Sequence, residues 1–308
     1  MSETMNGMAD EMLAISKAYA GLPAPKREVF RARLAERGIP ASRLPIVPLA
    51  PRGERFPLSY AQERLWFLWR LEPDSASYNM VSAVRFDGRL DIGSAQRALD
   101  HLAARHESLR SRFEDVDGTP WQVIDSTPYE WAEYDLASTS DVVTDTDVDA
   151  RLKSLLAQLS RRPFDLEHGA LLRVSLVRVA PDEHVLHFAM HHIVSDAWSI
   201  GVLTREFATL YQASSDGMQM DALPLAPLPV QYGDYAVWQR EWLDAARLDA
   251  QLDYWRTRLG DEHPVLELPV TRKRTGLRSA EGGRVVRRLD AAQGEALRAL
   301  SQRHGATL

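Results

Sequence analysis

The first apolar pattern in the chain has helical spacing. Met8, Met12, Ile15 and Tyr19 fall on one stripe, which predicts a short helix over 8–20. The stretch from Gly21 to Pro25 carries two prolines and breaks it. A second short helix is predicted from Lys26 to Arg37, with Gly38 placed where a helix C-terminus favours a residue free to take positive φ. Pro40, Pro45, Pro48, Pro51 and Pro57 follow, a density that favours extended backbone. Residues 1–40 are therefore read as a helical appendage and 41–56 as a Pro-rich linker.

The main body opens at Ser59. Ser59 and Gln62 form an S-x-x-Q capping box just before the apolar run from Leu65 to Leu68. A strand is predicted over 80–87. Ile92, Ala95, Leu99 and Leu102 then mark a helix with Asp91 as its N-cap. Residues 138–149 are rich in Ser, Thr and Asp and read as loop, and 150–160 read as helix. A hairpin follows, with Leu171–Val179 as one strand, Ala180–Glu183 as the turn and His184–Met190 as the return strand. Leu203, Phe207 and Leu210 mark another amphipathic helix. Residues 213–230 read as loop, helices are predicted near 231–243 and 249–259, and the tail from about 284 reads as a strand and the start of one more helix. Strands and helices are mixed without regular βαβ alternation, so an α+β layered fold is expected. The pattern stops at Leu308 while an apolar element is beginning, and a chain cut short is expected.

Composition narrows the classes. The 308 residues allow one large domain or two smaller ones. A formal charge of −6 speaks against wide contact with nucleic acid or an anionic membrane. With no cysteine, disulfides, thiol catalysis and Cys-ligated metals are excluded. No apolar run approaches the roughly 20 residues of a membrane span. The acidic N-terminus lacks the plan of a secretory signal, so a soluble, cytoplasmic protein is expected.

The segment from Met190 to Ser199 holds His191, His192 and Asp196 between a return strand and a helix, a place where loops commonly present chemistry on a rigid scaffold. Asp196 falls at the helix start, where unpaired N–H groups favour a carboxylate. Three readings compete: two packed histidines with an N-cap, a metal site, and general-base catalysis. Adjacent histidines on extended backbone point to opposite faces and no H-E-x-x-H spacing is present, which speaks against a metal. Imidazole titrates at about 6.5, so near neutral pH it can take and return a proton.

The segment resembles the H-H-x-x-x-D-G motif of nonribosomal peptide synthetase condensation domains. Three more stretches support the resemblance in the expected order: Ser59 to Leu68, Arg105 to Phe113, and Tyr232 to Trp238. It covers about 57–308. It implies a fold like chloramphenicol acetyltransferase, two related lobes in a V with a tunnel between them. Residues 57–225 would be the N-terminal lobe, and 226–308 the connection and the start of the C-terminal lobe, which is only begun.

By the same resemblance His192 acts on the acceptor amine that attacks the donor thioester, either as base or by positioning. His191 and Asp196 support the site, and Asp196 is expected to pair with Arg105, or else with Arg110. Ala197 stands where the family has Gly, at the approach of the pantetheine thioester and the developing oxyanion. Ser59, Gln62 and Trp66 are read as a capped, buried helix, and Trp238 as packing. An amide-forming member that takes an L-configured donor fits better than a heterocyclisation or epimerisation domain. No cofactor is bound by the domain itself. Substrates would arrive on the phosphopantetheine of upstream and downstream carrier domains, beside an adenylation domain, and residues 1–40 are expected either to pack on their own lobe or to dock an upstream synthetase. A stand-alone acyltransferase of the same fold and a non-catalytic recruiting domain are the alternatives.

Overall fold

The segment His184-Val-Leu-His-Phe-Ala-Met-His191 is mostly apolar and has no Asp, Glu, Lys or Arg, so a strand built from it must be covered on both faces. In the computed structural model it forms β7 (Glu183–His191), the centre of a four-stranded mixed sheet. β2 (Asn79–Asp87) runs antiparallel along one side of it, and β6 (Leu172–Ala180) antiparallel along the other. β5 (Glu130–Asp135) pairs with β6 in parallel at the far edge. The structure describes residues 2–39, 43–125, 129–137, 145–218, 225–243, 245–262 and 285–308.

Strand alternation sorts the cover. Leu186, Phe188 and Met190 of β7 meet α4 (Ile92–Arg105) through Leu99 and Leu102, and α6 (Ala197–Ser215) through Leu203 and Phe207. The other face meets different elements. Ala189 packs with Leu65 and Trp66 of α3 (Tyr60–Leu71), and Val185 with Leu152 of α5 (Asp145–Ser160). A second, antiparallel sheet of β1 (Arg55–Pro57), β4 (Thr119–Ile124) and β3 (Ser111–Val116) adds Phe113 to the core around α3. The predicted α+β layering is present.

Several boundaries differ from the sequence reading. The hairpin turn is shorter than predicted, because β6 continues to Ala180 and β7 begins at Glu183. α5 starts at Asp145, inside the predicted loop, and residues 138–144 lie outside the described ones. β3, β4 and β5 were not predicted. The strand expected from about 284 is not formed over 285–290: Val285, Val286 and Leu289 are exposed there, and a strand needs a neighbour to satisfy its backbone.

The Pro-rich segment is not a loose tether. Asp234, buried on α7 (Tyr232–Trp242), accepts from the Leu49 N–H at 3.0 Å and from the Arg52 guanidinium at 2.6 Å, and Arg52 also holds Glu107. β1 then enters the second sheet. α1 (Ser2–Ala20) and α2 (Ala24–Glu36) pack on the same lobe: Tyr19 donates to Glu241 at 2.5 Å, Arg27 pairs with it at 3.2 Å, and Arg31 donates to its carbonyl. Of the stripe predicted on α1, Met12, Ile15 and Tyr19 are half-buried, while the side chain of Met8 lies outside the described ones. α8 (Ala245–Leu259) completes this first unit, residues 1–266. The second unit, 267–308, contains α9 (Ala291–Arg303), capped by Asp290 and Gln293. Among the described residues no helix is long and apolar enough to cross a membrane.

α7 approaches β1 so closely that a Cβ on Gly233 would lie 2.8 Å from the Phe56 ring. Gly233→Ala is expected to cost about 1–3 kcal/mol, the range for overpacking a filled site. Thermal unfolding checks it, and Phe56→Leu in the same chain should restore part of the loss. An unchanged midpoint in the single variant would show that the contact is not tight.

Candidate functional site

β7 ends at His191, and the chain turns into α6 within five residues. The alternation of the strand sends the two histidines to different surroundings. His191 is 2% exposed and lies against the rings of Tyr78 and Phe164. Its Nδ1 accepts from the Ile193 N–H at 3.1 Å. Burial, and then the neighbouring His192, push its pKa down to about 4, so it is neutral near pH 7.

His192 is half-buried. Its backbone N–H donates to the Tyr78 carbonyl at 2.9 Å, tying it to the start of β2. Its ring Nδ1 lies 2.6 Å from the Ser195 carbonyl oxygen. A carbonyl can only accept, so Nδ1 carries the proton and the Nε2 lone pair of the neutral ring is left for chemistry.

Asp196 is the N-cap of α6. Its Oδ1 accepts from the Ser199 N–H at 2.7 Å and the Ser199 hydroxyl at 2.6 Å. Those bonds hold its pKa below the usual carboxylate value. The expected pair with Arg105 or Arg110 is not formed: among the described residues Asp196 joins no arginine. Arg105 instead meets Glu206 at 3.1 Å, and His106 meets the same carboxylate at 2.6 Å. Glu206 sits about 15 Å further along α6. Arg110 reaches Glu107 at 3.9 Å and the Asp125 carbonyl at 3.3 Å. The second motif is thus fastened to the middle of α6, and the exposed Asp196 is engaged by its own first turn.

Ala197 opens α6. Among the described residues Asp117 is the one non-glycine with positive φ, so Ala197 carries its methyl without backbone strain. Its N–H belongs to the first turn, which has no intrahelical acceptor. Next to it Trp198 is 81% exposed. A cavity of about 140 Å³ lies on this side, between Trp198, Ser199 and Val202 of α6 and His106 and Leu109. Another of about 210 Å³ lies toward α3, where His191 shares the wall with Trp69, Ser75 and Tyr78.

Sequence reasoning missed two supports of this loop, the Tyr78 carbonyl and the side chain of Gln62. Gln62 closes the predicted capping box, accepting from the Ser59 N–H at 3.0 Å. Its amide nitrogen also reaches the Ile193 carbonyl at 3.3 Å. The S-x-x-Q spacing signals the cap; no spacing signals the second contact.

A family model for the condensation domain matches residues 53–308. The chain belongs to the condensation domain family. Malpibaldin synthetase of Mortierella alpina is 43% identical over 264 residues, which are 85% of this chain and 5% of the synthetase. The X-domain of teicoplanin biosynthesis, solved in complex with OxyB, is 30% identical with a TM-score of 0.71, over 86% of this chain and 56% of that one. The starter condensation domain of rhizomide synthetase RzmA, 21% identical with a TM-score of 0.59, shares the fold over 68% of this chain and 48% of its own. The chain therefore spans a small part of the synthetase and about half of these solved chains. The expected chloramphenicol acetyltransferase-like fold is borne out, and condensation domains are acyltransferases that form amide bonds.

Two outcomes follow for this condensation domain. Asp196→Ala removes a cap and no ion pair, so it is expected to cost about 1 kcal/mol; a loss of several kcal/mol on denaturant unfolding would reveal a buried partner. His191 is the second case. Its folded pKa lies below the unfolded value, so the unfolded chain binds more protons between about 6.5 and 4. Stability should fall as pH drops through that window, by roughly 3 kcal/mol at most. Urea unfolding from pH about 7 to about 5 tests this, and His191→Gln should flatten part of the slope. Equal slopes in the two proteins would contradict the assignment.

Proposed function

We propose that this chain joins a carrier-bound acyl or peptidyl thioester to the amine of a carrier-bound amino acid, forming an amide in nonribosomal peptide synthesis. The observation that carries the reading is the bond from His192 Nδ1 to the Ser195 carbonyl, which sets the tautomer and leaves Nε2 as the basic atom. In this reading the acceptor amine nitrogen attacks the thioester carbon and Nε2 takes the proton that the nitrogen loses. The C–S bond breaks, and the departing thiolate recovers the proton from the imidazolium. In this reading the Ala197 N–H, in the first turn of α6, meets the negative charge that develops on the carbonyl oxygen.

Both substrates would arrive on phosphopantetheine arms of upstream and downstream carrier domains, loaded by an adenylation domain. Residues 1–40 are read as part of this lobe and not as a docking arm for an upstream synthetase, because Tyr19, Arg27 and Arg31 converge on Glu241 of α7.

His192→Ala is expected to leave the thermal midpoint nearly unchanged and to cut amide formation by roughly 10²–10⁴-fold, the range for a lost general base. The assay uses two loaded carriers, with this chain and with a version extended through a second lobe. Near-normal turnover by the variant would remove His192 from the reaction. A second reading, a recruiting domain, is supported by the X-domain relative solved with OxyB. It requires that the extended protein bind a partner and form no amide.

A further inference from the structure

Ser59, Gln62, Gln122 and Ser111 are each 3% exposed or less, and polar side chains so deeply buried must find partners. Their bonds run in one direction. The Ser59 N–H donates to Gln62 Oε1 at 3.0 Å, Gln62 Nε2 to Gln122 Oε1 at 3.2 Å, Gln122 Nε2 to Ser111 Oγ at 2.8 Å, and the Ser111 hydroxyl to the Glu107 carbonyl at 2.8 Å. Such a chain polarises each of its members. A branch leaves it at Gln62, from Nε2 to the Ile193 carbonyl at 3.3 Å.

That carbonyl lies inside the turn that orients His192. The ring of His192 donates to the Ser195 carbonyl, on the far side of the Ile193-Val194 pair. If Ile193 rotates, the distance from His192 to Ser195 changes and the tautomer is released. Gln62 Oε1 faces the cap of α3, and the Nε2 group spends one hydrogen on Gln122 and the other on Ile193. The carboxamide has no further hydrogen to give, and an apolar side chain would leave the Ile193 and Gln122 oxygens buried without a donor.

We propose that Gln62 is a positioning residue for His192, holding the Ile193 carbonyl and through it the turn that keeps the proton on Nδ1. The inference rests on the reading of His192 as the acting group, but its test reads the imidazole itself and not turnover.

The experiment is heteronuclear NMR of the histidine-labelled chain, with the His192 signals assigned by His192→Ala. In the unmodified chain His192 should be the Nδ1–H tautomer and the Gln62 carboxamide protons should be slow to exchange. Carboxamide protons that exchange as fast as those of a surface glutamine would overturn the proposal before any variant is made. Gln62→Met should lower the thermal midpoint and move His192 toward the Nε2–H-rich mixture of a free imidazole. Gln62→Glu, which keeps an acceptor for the Ser59 N–H, should do the same near neutral pH. Gln122→Met breaks the relay and leaves the Ile193 bond, so it should lower the midpoint while His192 stays in place. A His192 signal unmoved in both Gln62 variants, or moved equally by Gln122→Met, would reduce Gln62 to a structural residue. These results are independent of whether His192→Ala abolishes amide formation, so the two readings fail separately.

Discussion

The burial of β7 on both faces is the constraint from which the rest of the site follows. A strand with α4 and α6 on one side and α3 and α5 on the other cannot shift by one residue without turning its apolar set the wrong way. Its last position is therefore fixed to within the packing of Ala189 and Met190, and His191 is driven inward while His192 emerges at the sheet end. One histidine is held neutral by its surroundings, and the next is held in a chosen tautomer by the turn. The difference between them comes from strand geometry and needs no special residue in the motif beyond the pair itself.

Around that strand end, polar order replaces apolar packing. The Gln62, Gln122 and Ser111 chain runs from α3 through the second sheet to the Glu107 carbonyl, and Arg52 holds the Glu107 carboxylate while also reaching Asp234. Arg105 and His106 share Glu206 on α6. The second motif thus sits between three anchors, the α6 helix, the α7 helix and the Pro-rich segment. A buried charge such as Asp234 is tolerable only because a guanidinium and two backbone N–H groups meet it.

What the sequence made legible was local. The capping box at Ser59, the cap at Asp91 and the β6–β7 hairpin all depend on residues a few positions apart, and all formed. The cap at Asp196 was read correctly for the same reason, and its ion pair was misread because a partner across the fold leaves no trace in spacing. β3 and β5 are interrupted by charged residues, as in Ser111-Arg-Phe-Glu-Asp-Val116 and Glu130-Trp-Ala-Glu-Tyr-Asp135, so neither shows the apolar run that reveals β7. The tail around Val285 shows the opposite error, since β-branched residues suggest a strand that forms only beside another. The reach of Gln62 to Ile193, 131 residues away, was beyond any motif.

The clasp between Arg52 and Asp234 joins positions 182 residues apart. On a ribosome adding about 5–20 residues per second, Arg52 is made roughly 10–40 s before its partner exists. Over that interval β1 has no α7 to lie against and the Phe56 ring has no glycine face to cover it. The lobe can gather its hairpin and the α4–α6 layer early, but it closes its N-terminal edge last, when translation has passed Tyr232.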